Sequence, residues 1–352
     1  MATLRQQIGQ MLIMGFNGLE IDETNPITHW LSKDGLGGVL LFDTDLANNG
    51  ASKNLVSRQQ IIHLTNQLNQ MATKSDKDGL PLFIAIDYEG GAVDRLKNIS
   101  GCMTTLKPVQ MAALSESELI EQLQQMAATL KSLGFNLNFA PAIDLDLNDK
   151  EGIIGRLGRS FSRNPREVAR LASQFVKVFS DYGISCCFKH FPGHGSATGD
   201  SHEGFVDVSN SFQSEELDPY RILLQQDSHP TMVMTAHVIN RQLDDSGMPA
   251  TLSHKILTNL LREKTGFDGV IISDDLQMKA ISNHYSVEEA LKLTINAGAD
   301  MVIFANQLGY ISATTVIDTI ENLVKSHQIS LARIEQAYQR ISHLKQSQAV
   351  MA

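Results

Sequence analysis

The chain has 352 residues, 42% hydrophobic and 19% charged, with a formal net charge of −10. This composition suits a soluble globular enzyme and excludes global disorder. With no dense Lys/Arg stripe to offset it, the acidic balance excludes a nucleic-acid or anionic-membrane partner held mainly by charge and leaves small neutral substrates open.

The N-terminal stretch MATLRQQIGQMLIMGFNG carries a six-residue apolar run, too short for a signal-peptide core, and no later run approaches 18 residues. Three cysteines, two of them adjacent (Cys186 and Cys187), with no CxxC spacing, offer neither a disulfide framework nor a zinc motif. The expectation is a cytoplasmic protein without a membrane segment.

Eight short apolar runs follow one another: MLIMGF (11–16), GGVLLF (37–42), LFIAID (82–87), FNLNFAP (135–141), ISCCFKHF (184–191), TMVMTAHV (231–238), GVIISDD (269–275) and DMVIFA (300–305). Runs of this kind suit strands buried on both faces, and most intervening segments are long enough for a helix. Between runs five and four, Val168, Leu171, Ala172, Phe175, Phe179 and Tyr182 fall on one helical face, with Asn164-Pro165 at its start and Gly183 just past its end. A second helix opens at Ser286, has Glu289 at capping-box spacing, and reaches Gly298 before the last run. Eight alternations predict an α/β fold, a single (β/α)8 TIM-type barrel, with an open doubly wound sheet as the alternative. No linker or repeat divides the chain, so one catalytic domain is expected over 1–352, with its core at about 5–345 and a frayed tail.

In such barrels chemistry gathers where strands end. Run three ends in Asp87, run five in Lys189 and His190, run six in His237, and run seven in Asp274 and Asp275. A strand-end Asp also serves to cap the following helix. In a barrel, one of the paired aspartates faces the pocket, as a candidate nucleophile for an anomeric carbon, and the other turns aside.

The stretch FKHFPGHGSATGDSH (188–202) is open to three readings. His190, His194 and His202 could ligate a metal, though without the fixed helical spacing that makes such motifs specific. Lys189 could form a Schiff base, although a lysine among carboxylates more often binds a hydroxyl or balances charge. Asp200 and His202, two apart on a loop, could make an oriented imidazole that moves protons near neutral pH.

KHFPGHG, with DSH ending twelve residues after its first histidine, together with IDYEGG, GRSF, MTAHV and ISDDL, resembles the family-3 glycoside hydrolases, and within them the bacterial β-N-acetylglucosaminidases. The motifs run in order from about residue 10 to 305. The resemblance implies a retaining double displacement with Asp274 as nucleophile and His202, partnered by Asp200, as acid/base. It implies that Asp87, Arg95, Arg159, Lys189 and His190 bind the sugar and that His194 is structural within its turn. No metal or organic cofactor is implied. The implied substrate is terminal β-linked N-acetylglucosamine on 1,6-anhydro-N-acetylmuramyl peptides of cell-wall recycling, handled by a monomer. A phosphorylase using phosphate as acceptor, or a catalytically silent sugar-binding barrel, are the alternatives. Two departures stand out: Ala92 follows the paired glycines where many relatives have Arg, and EGFVDV follows DSH where relatives often place a proline.

Overall fold

The computed structural model describes residues 2–48, 50–75, 79–199, 204–226 and 231–351. All eight apolar runs form parallel strands: β1 Leu12–Met14, β2 Gly38–Leu40, β3 Phe83–Ile86, β4 Leu137–Asn138, β5 Ser185–Phe191, β6 Thr231–Thr235, β7 Val270–Asp275 and β8 Met301–Phe304. They close into a barrel in which each strand pairs with its sequence neighbours and β8 pairs back onto β1. Leu12 stands beside Val302 at that closure, while Ile13 stands beside Gly38 on β2. Closure removes both sheet edges, so the open-sheet alternative does not apply.

Helices pack outside. The helix expected after run four is α1, Pro165–Asp181: the Asn164 side chain accepts from Arg166 N and Glu167 N, Pro165 takes the first turn, and Gly183 follows with φ +70°. Val168, Leu171, Ala172, Phe175 and Phe179 are buried as the period predicted, with Phe175 and Phe179 stacked at 4.3 Å, while Tyr182 is the half-buried cap residue. In α2, Val287–Ala297, the Ser286 hydroxyl accepts from Glu289 N, and Gly298 ends the helix with φ +121°. The last helix, α3 (Leu331–Met351), crosses the N-terminal end of the barrel. There Lys345 donates to Gln10 Oε1 and to the Gly37 carbonyl, both at 2.7 Å, with its ammonium over the Phe83 ring.

The same N-terminal end holds a charge cluster. Asp300, fully buried, accepts from Ile271 N at 3.0 Å and from Arg333 at 2.6 Å, and it pairs with Arg262 and, at 3.5 Å, with Arg340. No described helix is long and apolar enough to cross a membrane.

Candidate active site

At the C-terminal end of the barrel a cavity of about 390 Å³ opens among the strand-end loops. Asp87, Arg95, Arg159, Lys189, His190 and Asp274 all line it, so six of the eight residues implicated from the sequence converge. The other two, Asp200 and His202, lie outside the described residues.

The floor is charged and mutually braced. Glu89, in the short hairpin that follows β3, is buried between two cations. Arg159 donates to it through Nε (2.9 Å) and Nη2 (2.7 Å), and Lys189 Nζ lies 2.8 Å away. Lys189 also reaches Asp87 at 3.2 Å. Burial raises the Glu89 carboxyl, but the two cations outweigh it and hold the group well below the ordinary carboxylate range. Burial pulls Lys189 down, and Glu89 and Asp87 more than restore it, leaving its pKa above the usual value. Arg95 stands farther off, 3.8 Å from Asp87 and 3.9 Å from Asp43, with its guanidinium over the Phe42 ring.

His190 is set by a second buried carboxylate. Asp144, just beyond β4, accepts the His190 backbone N–H, lies 2.7 Å from the ring Nδ1, and accepts His194 N at 2.8 Å. Burial would raise Asp144, yet His190 and its hydrogen bonds win and keep it ionised. An ionised carboxylate only accepts, so Nδ1 carries the proton and Nε2 is the ring nitrogen left for a ligand. His194 does more than serve its turn, because it also lines the cavity. Burial, then the neighbouring His190, lowers its pKa to about 4, so it is neutral in ordinary buffers.

Both paired aspartates border the cavity, and their hydrogen bonds differ. One oxygen of the Asp275 carboxylate accepts Gln277 N (3.0 Å) and Ala305 N (3.2 Å), which anchors it to the backbone. Asp274, half-buried, borders the cavity, and its carboxylate accepts its neighbour's N–H at 2.8 Å. His237 departs from the strand-end reading. It is fully buried beside the cavity, with Nδ1 at 2.8 Å from Thr251 Oγ1 and Nε2 donating to the Asp275 carbonyl at 2.9 Å, so it braces the end of β7.

Sequence reasoning passed over Glu89 and Asp144. Glu89 stood inside the quoted IDYEGG, and Asp144 lies three residues past the fourth apolar run, whose end was not among those inspected for charge. Among the described residues no group of three or more His, Cys, Asp or Glu is placed to hold a metal ion.

Residues 3–344 match the glycosyl hydrolase family 3 N terminal domain. A β-hexosaminidase of Tolumonas auensis is 34% identical over 325 residues, covering 91% of this chain and 89% of that protein. β-Hexosaminidase A of Pseudoalteromonas piscicida is 34% identical over 337 residues, covering 86% of this chain, which spans about half (53%) of that longer protein. Among solved structures, a glycoside hydrolase family 3 β-N-acetylglucosaminidase from a Paenibacillus species superposes with a TM-score of 0.87 at 34% identity, over 100% of this chain and 64% of that one. A family match across nearly the whole barrel, together with the converged strand-end residues, makes this chain a member of glycosyl hydrolase family 3.

Proposed function

We propose that this barrel is a retaining exo-β-N-acetylglucosaminidase that removes terminal β-linked N-acetylglucosamine. The observation that carries the reading is the division of the cavity: Asp274 at the end of β7 faces a braced cluster of Asp87, Arg159, Lys189 and His190 at the ends of β3 to β5. Such a cluster offers carboxylate acceptors and fixed donors to sugar hydroxyls, while the Asp274 carboxylate borders the same cavity, on the side from which an anomeric carbon held there could be attacked. The likeness to a solved β-N-acetylglucosaminidase supports N-acetylglucosamine as the sugar, and the curated relative's name supports a hexosaminide.

In this mechanism the Asp274 carboxylate attacks the anomeric carbon as the glycosidic C–O bond breaks. His202, oriented by Asp200, gives its proton to the leaving oxygen. Water then gives a proton back to His202 and displaces Asp274, releasing the sugar with its configuration retained. Asp87 accepts from hydroxyls at the non-reducing end, Arg95 supports it from a distance, Arg159 and Lys189 donate, and His190 accepts through Nε2. We assign the natural substrate to N-acetylglucosaminyl-1,6-anhydro-N-acetylmuramyl peptides in the cytoplasm, and purified muropeptides that release no free N-acetylglucosamine would remove that assignment.

The test compares chromophore release from an aryl β-N-acetylglucosaminide by the wild-type protein and by Asp274→Ala. The variant is expected to lose roughly four or more orders of magnitude in kcat, with azide restoring part of the rate. Equal activity in both proteins would remove Asp274 from the role.

A further inference from the structure

We propose that Leu46 and Leu308 form a preorganised platform at the cavity mouth that selects leaving groups presenting an apolar face, such as an aryl ring or the carbon face of a second sugar. The inference rests on the glycosidase reading above and specifies its substrate class on the leaving-group side.

If the charged cluster on β3 to β5 holds the non-reducing sugar, the leaving group lies outside it. In-line displacement sends the leaving oxygen away from Asp274, so the rest of the substrate passes out through the mouth. Leu46, in the β2 loop, is 62% exposed, and Leu308, in the β8 loop, is 43% exposed, yet both border the same cavity as Asp274.

Single exposed leucines are ordinary on protein surfaces. These two differ because their loops are stitched together. The buried Gln307 amide accepts Leu46 N and donates to the Thr44 carbonyl, both at 2.9 Å. The Lys53 ammonium, 1% exposed, is spent on the Asn306 and Ala305 carbonyls rather than on a ligand. Asn306, at φ +52°, fixes the turn by donating to the Gly15 carbonyl (2.8 Å) and accepting Ile311 N (2.9 Å). A buried lysine and two buried amides hold the backbone under two solvent-facing leucines. That rigidity lowers the ordering cost of binding an apolar surface there.

The experiment uses the Leu46→Ser/Leu308→Ser double variant and two substrates. 4-Methylumbelliferyl β-N-acetylglucosaminide has a flat apolar leaving group, whereas β-N-acetylglucosaminyl fluoride has one of a single atom. The expected result is a fall of about tenfold in kcat/KM for the aryl substrate, with the fluoride value held within about twofold and an unchanged melting temperature. An equal fall for both substrates, or no fall for either, overturns the platform. A wild-type protein that turns over neither substrate overturns the glycosidase reading itself, and the platform with it.

Discussion

Two carboxylates with almost no solvent contact, Glu89 and Asp144, decide how the side chains of the cavity stand. Replacing Glu89 by Gln leaves Arg159 and Lys189 buried without their shared counter-charge. The expected cost is about 3–5 kcal/mol of stability, read by urea unfolding, together with a rise in KM as the two donors lose their positions. Because the native pKa of Glu89 lies below its ordinary value of 4.5, its stabilisation is complete above that value and disappears as pH falls through the native one. Acid unfolding of Glu89→Gln should therefore be less steep than that of the wild type below about pH 4.5. His194 gives the complementary case. Its native pKa of about 4 lies below the ordinary 6.5, so the unfolded chain takes up the proton first and stability drains as pH falls from 6.5 towards 4. A His194→Gln variant that folds should lack that slope, and an identical slope in both proteins would show that His194 titrates normally in the folded state.

At the scale of elements, the loop that leaves β5 is held by its base. A methyl group added at Gly195 would lie 2.1 Å from the Leu145 carbonyl oxygen, so this backbone must pass where only glycine fits. Glu216, buried on the next segment, accepts Gly195 N at 3.0 Å and Ser196 N at 3.3 Å. Gly195→Ala should shift the loop that leads to Asp200 and His202. We expect kcat for an aryl glycoside to drop by roughly tenfold or more while the protein still folds; unchanged kcat would show that the base tolerates displacement. The cap of α1 is a contrasting device, purely local. Asn164→Ala removes two hydrogen bonds to the first turn and should cost about 1 kcal/mol with activity intact.

At the scale of the whole molecule, the two ends of the barrel do different work. Asp300, beneath the barrel, pairs with an arginine cluster outside the cavity lining and accepts the Ile271 N–H as β7 begins. Asp300→Ala should lower stability by about 3–5 kcal/mol yet leave kcat/KM near wild type in whatever fraction stays folded, measured at low temperature. Asp274→Ala should do the reverse, abolishing turnover with little change in melting temperature. The split follows from barrel geometry: loops at the C-terminal ends of the strands carry chemistry, and the opposite face carries stability.

Much of this was legible in the residues. Buried parallel strands must be apolar on both faces, so eight runs announced eight strands, and Asn164-Pro165 and Gly183 marked a helix by purely local chemistry. The charges at the strand ends were legible for the same reason, since an apolar run that stops at Asp or Lys reports where the core stops. What the tertiary structure alone decided are the pairings across long stretches of chain. Closure of β8 onto β1, Glu89 meeting Arg159 seventy residues away, and Gln307 stitching the β2 loop to the β8 loop leave no periodic trace. Period and capping report the face a residue occupies and the partner a few positions along. Which distant carboxylate braces which cation is settled only when the barrel closes and burial makes an unpaired charge too costly to keep.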